Sequence, residues 1–216
     1  MKNTIVCVAS SGPRFIGGLH RLQKIAKDFG EPLIFWEGCF PPGTITGIPY
    51  HFKIAAIEEA RQQGYEVILW ADASTVPVRP LKPLWDLIEE QGYWFNKNYD
   101  YTNGQFCCDS ALPILGITRE EAFKAPQIMA GCFGLDFRKE VAQEWFREWK
   151  KLALAGAFNG PWQGGSEDKR VIGHRHDQTC GAHLCWKMGL KLTEPPKWHA
   201  ETSMDTEETL IRLIRG

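Results

Sequence analysis

Val67-Ile68-Leu69-Trp70-Ala71-Asp72-Ala73-Ser74 runs through five apolar residues and stops on a carboxylate. The apolar run is too short for an ordinary helix. With Glu66 ahead of it, it reads as a strand, Glu66–Trp70, buried on both faces. A buried strand of this kind belongs to a sheet covered by helices on either side. The flanking sequence supplies them. Thr4–Ala9 is a second apolar strand, broken by Ser10-Ser11-Gly12-Pro13. Phe15, Leu19, Leu22, Ala26 and Phe29 then fall at helical spacing over Arg14–Phe29, and Gly30 stops the helix. Pro32–Trp36 reads as a strand, a Gly/Pro-rich loop extends to Pro49, and Tyr50–Gln63 reads as a helix ended by Gly64. This alternation predicts an α/β fold, a mostly parallel sheet flanked by helices.

Beyond Ser74 the pattern loosens. Pro77 and Pro80 argue against regular structure there. A short helix is expected near Leu84–Gln91 and a strand at Tyr93-Trp94-Phe95. Asn96–Ser110 has no clear period, and Gln127–Phe137 reads as a strand interrupted by Gly131 and Gly134. Val141, Trp145, Trp149 and Leu152 share one helical stripe. Phe158–Gly173 is a Gly-rich loop of the kind that is mobile. A helix is predicted from Asp177 to Met188, a strand at Leu190–Thr193, and a last helix capped by Asp205 with Glu208 as its capping-box partner. No repeat and no linker divides the 216 residues, so a single domain spanning 1–216 is expected.

Composition narrows the function. Charged residues make up 24%, as in an average globular chain, and the formal net charge is −1, so no bulk field draws nucleic acid or an anionic membrane. No apolar run is long enough to span a bilayer. The opening MKNTIVCVAS is too short and lacks the cleavage pattern for a signal peptide. Seven cysteines, an odd number without regular spacing, fit reduced thiols and a cytoplasmic protein. Nine tryptophans offer core bulk and also flat platforms for a sugar ring or a base.

In open α/β sheets ligands bind at the carboxyl ends of the strands. Here those ends carry Ala9-Ser10-Ser11-Gly12, Asp72-Ala73-Ser74 and Ala130-Gly131. No Gly-x-Gly-x-x-Gly and no Walker lysine motif is present, which excludes the common dinucleotide and P-loop signatures. A carboxylate ending a buried strand needs a partner. Mg²⁺ or Mn²⁺ on a diphosphate is one, and capping of the Ser74–Pro77 turn is the structural alternative.

The stretch Val67–Ser74 followed by Arg79-Pro80-Leu81 resembles the GT-A glycosyltransferases, in which a buried strand ends in an Asp-x-Asp loop. Tyr50-His51-Phe52-Lys53-Ile54 is similar to the helix before that motif. Met129-Ala130-Gly131-Cys132-Phe133-Gly134 resembles their strand beside the donor sugar, and His176-Asp177-Gln178 the pair opening a late helix near the anomeric carbon. The second acidic position is Ser74 here, one negative charge fewer. The resemblance implies glycosyl transfer from a nucleotide-diphosphate sugar to an unidentified acceptor, assisted by Mn²⁺ or Mg²⁺. It implies metal contact at Asp72, Ser74 and, near the carboxyl end, His199. Donor contacts would come from Ala9, Ser10, Ser11, Lys53, Asp72, Ala73, Ser74, Ala130, Gly131 and Arg175. Asp177, His176 and Gln178 would surround the transferred sugar, and Asp109 would reach the acceptor.

Other readings compete. Asp177 can be only a helix N-cap. His174-Arg175-His176-Asp177-Gln178 is the densest polar cluster, and Arg175 could grip a phosphate with two donors. A metallohydrolase of the His-x-His-x-Asp-His type fails, because Gln178 and Thr179 stand where Asp and His are needed. Cys180, His183 and Cys185 do not share one helical face, so zinc is not indicated, and the adjacent Cys107-Cys108 pair reads as structural. Two alternatives of other classes stand beside transfer: an inactive nucleotide-sugar-binding module, suggested by Ser74, and an unrelated α/β phosphate-ester hydrolase.

Overall fold

A computed structural model describes residues 2–195, the backbone of 199–201, and 206–214. The main sheet has the order β2-β1-β3-β6-β5. Its strands are β1 (Asn3–Ala9), β2 (Leu33–Glu37), β3 (Val67–Ala71), β5 (Tyr93–Thr102) and β6 (Pro126–Asp136). β1 pairs in parallel with β2 and β3, and β6 pairs antiparallel with both β3 and β5. Four strands therefore point one way and β6 runs against them, so the mostly parallel α/β sheet expected from the sequence is present.

Alternation along the strands divides the core in two. Val6, Val8, Ile68 and Trp70 face α2 (His51–Gln62), α6 (Glu140–Leu154) and α7 (Asp177–Lys187). Ile5, Cys7, Val67, Leu69 and Ala71 face α1 (Pro13–Phe29) and α3 (Lys82–Gln91). Every residue of β3 is buried. The same alternation places Asp72, two residues past Trp70, on the side of α2 and α7.

Several expectations are corrected. β6 is continuous, not interrupted. Its glycines admit neighbours instead, since a Cβ on Gly134 would lie 2.3 Å from Ile88. Thr75–Pro77 forms a short strand, β4, despite Pro77, which ends it at a position needing no donor. β5 extends through part of the stretch without period, with register shifts after Phe95 and Lys97. Two short helices, α4 (Leu112–Leu115) and α5 (Arg119–Lys124), were not signalled by periodicity; the second carries a Thr118/Glu121 capping box. Leu190–Thr193 makes only a bridge, Asn96 to Thr193.

At the carboxyl end Asp205 lies outside the described residues, and no helix is found over 206–214. Ile211–Leu213 is instead β8, between β4 and β7 (His199–Glu201) in a second sheet. The backbone of β4 needs hydrogen-bond partners, and β8 supplies them while burying Leu210 and Ile211. Among the described residues, no helix is long and apolar enough to cross a membrane.

Candidate active site

Lys53 organises the site. It lies on α2, only 2% exposed. Its Nζ stands 2.9 Å from Asp177 Oδ2 and 3.3 Å from Asp72 Oδ1, and donates to the Ala130 carbonyl at 2.9 Å. Three elements far apart in sequence thus meet at one ammonium: the end of β3, the middle of β6 and the start of α7. Trp70 Nε1 donates to Asp72 Oδ1 at 2.8 Å, because strand residues two apart share a face. The Asp72 amide donates to the Gly131 carbonyl at 2.7 Å. A Cβ on Gly131 would lie 3.2 Å from Asp72 Oδ2, so glycine leaves that oxygen open.

Burial alone would favour a neutral Lys53, but the carboxylates of Asp177 and Asp72 outweigh it and hold the ammonium's pKa above its ordinary value. Burial likewise pushes the Asp177 carboxyl up, against the opposing pull of Lys53. Asp177 is the first residue of α7, where the helix amino end favours its negative charge. The Asp177 carbonyl accepts from Trp149 Nε1 at 3.0 Å. Gln178 Nε2 donates to the Ile128 carbonyl at 2.8 Å, which fixes the amide.

These groups line a cleft of ≈ 120 Å³ whose walls include Asp72, Ala130, Gly131, Arg175, Asp177 and Gln178. Arg175 spans the rim. Its guanidinium lies 4.1 Å over the Trp162 ring and 4.8 Å over Phe106, and Nη1 donates to the Trp162 carbonyl at 2.7 Å. A larger groove of ≈ 660 Å³ lies between α6 and α7, lined by Glu140, Glu144, Glu148 and Lys187. It holds none of the candidate site residues read from sequence.

The other expected residues are spread over several places. His176 is 7% exposed, with Nδ1 2.8 Å from the Phe158 carbonyl. Its ring lies between Tyr50 and Trp162, at 5.3 and 5.7 Å. Burial holds its pKa below the usual histidine value, so it stays neutral and acts as a brace beside Asp177. Ala73 and Ser74 line a separate small cavity with Arg14, Phe15 and Arg21, facing α1. Ala9, Ser10 and Ser11 end β1 at the same sheet edge as Asp72, since Val6 is in register with Trp70. They are not part of the cleft wall. Asp109 is not brought to the cleft either. It accepts from Ser166 Oγ at 2.7 Å and Arg119 Nη2 at 2.6 Å, contacts that lower its pKa and staple the Gly-rich loop. His199 is in β7, and its side chain lies outside the described residues.

Two cleft residues were not singled out from sequence. Tyr50 adopts φ 59° just before α2. Trp162 sits in the Gly-rich loop and is 53% exposed. The available signal was a large indole in Pro161-Trp162-Gln163-Gly164, where neither helical nor strand spacing assigns it to a core.

A divalent cation fits this donor set in one way. Asp72 Oδ1 is committed to Trp70 and Lys53, Oδ2 is open, and Ser74 belongs to the other cavity. Among the described residues no group of three His, Cys, Asp or Glu side chains could hold a metal. One carboxylate oxygen suits Mg²⁺ or Mn²⁺ whose other ligands are phosphate oxygens and water.

No family model matches the chain, and no curated protein matches it in sequence. Solved structures do. A glycosyltransferase involved in glycosylation of the major capsid of PBCV-1 superposes with TM-score 0.59 at 12% identity, covering 100% of this chain and 94% of its own. Mouse xyloside xylosyltransferase 1 gives 0.51 at 9% identity, with 99% and 97% coverage. The bifunctional glycosyltransferase WbbM gives 0.53 at 10% identity over 100% of this chain and 46% of its own. Three glycosyltransferases that share so little sequence with this chain are similar to it in architecture over nearly all its length, and the chain has the GT-A glycosyltransferase fold.

Proposed function

We propose that this chain is a single-domain glycosyltransferase that moves a sugar from a nucleoside-diphosphate donor to an acceptor hydroxyl. One observation carries the reading: a buried ammonium, Lys53, ties the strand-end carboxylate Asp72 to the helix-start carboxylate Asp177 across one cleft. Diphosphate binds on the Asp72 side, and a divalent ion held there by Asp72 Oδ2 would neutralise charge on the departing phosphate. The base extends toward Ala9–Ser11, and the sugar lies by Gly131, Gln178 and Asp177.

In transfer the C1–O bond to the diphosphate breaks with its electron pair, and a bond from the acceptor oxygen to C1 forms. The acceptor proton passes to the Asp177 carboxylate, which also stabilises positive charge developing at the ring. Lys53 holds that carboxylate in place. Arg175 contributes a second positive charge at the rim. All seven cysteines are free, in keeping with a reducing, cytoplasmic setting.

The test is Asp177→Asn, which keeps the shape of the side chain at the first position of α7 and removes its charge. Transfer or slow donor hydrolysis, assayed with UDP- and GDP-sugars, is expected to fall by at least ~100-fold, as for loss of a positioned acid–base group. Donor binding measured by thermal shift should persist. Wild-type turnover in the Asn variant would remove Asp177 from the mechanism. Donor binding without turnover in the wild type would instead indicate a binding module.

A further inference from the structure

We propose that Trp162 is the platform for the acceptor, and that the acceptor is a saccharide whose ring stacks on the indole; this rests on the transfer reading of the same cleft. Trp162 lies in the cleft wall and is 53% exposed, although an exposed indole is unfavourable in water. It is not a loose loop residue. Its carbonyl takes a hydrogen bond from Arg175, and its ring is braced by the Arg175 guanidinium and by His176 at 22° to it. The loop is folded onto 172–174 by Gly164 N–H to the Ile172 carbonyl and His174 N–H to the Pro161 carbonyl. That approach is so close that a Cβ on Gly173 would lie 2.1 Å from the Trp162 carbonyl oxygen. The loop expected to be mobile is therefore tied down, and it holds a half-exposed indole in the wall of the cleft that contains Asp177. A pyranose, with an apolar C–H face and hydroxyls around its edge, complements an exposed indole that shares its cleft with the Arg175 guanidinium and the Gln178 amide.

Sheet order argues against the donor base as occupant. Strands run β1-β3-β6 across the site. In the donor placement proposed above, the base lies toward the end of β1 and the diphosphate at Asp72, past β3. Trp162 shares its cleft with Ala130 and Gly131 of β6, on the far side of Asp72 from β1. With the sugar by Gly131, Gln178 and Asp177 as proposed, that is the side from which an acceptor meets C1.

The experiment uses the full chain with UDP-glucose, UDP-galactose or GDP-mannose and Mn²⁺, and lactose, maltose or cellobiose as acceptor. Trp162→Ala is expected to raise the disaccharide KM by roughly 10- to 100-fold, the loss of one stacked ring, while the donor KM stays within about twofold. Trp162→Phe should restore most of the loss. An unchanged disaccharide KM, or a rise in donor KM instead, overturns the proposal. If the wild type turns over none of these donors, the transfer reading fails by itself. Saturation-transfer NMR of the same disaccharides then decides Trp162 separately. Magnetisation passed from protein to sugar should be seen in the wild type and lost in Trp162→Ala. Its absence from the wild type, or its survival in the variant, refutes the platform.

Discussion

Replacing Lys53 by Met is the most direct test of the charge arrangement. At an effective dielectric of ~20, a unit charge 2.9 Å from Asp177 and 3.3 Å from Asp72 gains ~6 and ~5 kcal/mol of attraction. Removing the ammonium's hydration takes back several kcal/mol of that. Methionine fills the space of the lysine stem but leaves Asp177, 3% exposed, without a cation. Loss of one member of a buried pair costs ~3–5 kcal/mol, and that is the expected destabilisation in urea unfolding at pH 8. The loss should depend on pH with a defined sign. Without Lys53, burial raises the folded pKa of Asp177 further above its unfolded value. Stability is then greatest below the unfolded pKa and declines as pH rises through the folded one. The gap to wild type should therefore be smaller at pH 5 than at pH 8. Adding Asp177→Asn to Lys53→Met removes the stranded charge and should return at least half of the loss. A single variant costing under ~1 kcal/mol, or a double variant no more stable than the single, would refute the view of Lys53 as the keystone.

The same geometry sets two other measurable responses. Because Asp72 offers one open oxygen, Mn²⁺ alone should leave the melting temperature nearly unchanged, whereas UDP or GDP with Mn²⁺ should raise it, by up to ~2.7 kcal/mol of stabilisation at a hundredfold excess over Kd. Calorimetry showing tight Mn²⁺ binding without nucleotide would mean that protein ligands have been missed. His183 is buried, its Nδ1 has no hydrogen bond among the described residues, and burial lowers its pKa from 6.5 to about 4. Its depressed pKa gives stability that is complete above pH ~6.5 and is lost as pH falls through about 4, amounting to roughly 3 kcal/mol. His183→Phe should flatten the acid limb of stability against pH without abolishing it, since burial also lowers His174 and His176. An unchanged acid limb would contradict a neutral buried His183.

The strand ending in Asp72 was legible because length, burial and a terminal carboxylate coincide in eight consecutive residues. Lys53, Asp72 and Asp177 were each legible as candidates. Their meeting was not, because no sequence period links positions so far apart: Lys53 and Asp177 are joined only by the packing of α2 and α7 on one sheet face. Alternation along β3 does tell which face Asp72 takes, and hence that Trp70 can reach it. Ser74 was grouped with Asp72 by motif, yet the chain turns at Asp72, whose carbonyl accepts from the Thr75 amide, and Ser74 faces another cavity. Ile211–Leu213 carries too few residues for periodicity to separate helix from strand. The unpaired backbone of β4 decides it, and that need is invisible without the fold.

Among the described residues, two of the three non-glycine residues with positive φ stand where α2 and α7 begin, the third being Tyr99 in β5. Tyr50, before α2, and His176, before α7, are non-glycine residues at φ 59° and 52°. His176, with ψ −115°, has the dihedrals of the first central position of a type II′ turn, and the Gln178 amide closes that turn on the Arg175 carbonyl at 2.9 Å. Glycine is the residue suited to this position, so histidine here costs ~1–3 kcal/mol of strain. The ring contacts with Phe158, Tyr50 and Trp162 offset that cost, and the turn brings Asp177 out as the first residue of α7, facing Lys53. The strain can be separated from the contacts. His176→Ala and His176→Gly both lose the ring, but only glycine relieves the backbone. Elsewhere glycine is less stable than alanine by ~0.5–1 kcal/mol. Here the order should reverse, with the Gly variant more stable in urea unfolding by up to ~2 kcal/mol. The gain should come without a gain in turnover, because a relaxed turn holds the Asp177 carboxylate less firmly. An alanine variant as stable as the glycine one would show that His176 is unstrained, and the turn would then explain nothing about how Asp177 is aimed.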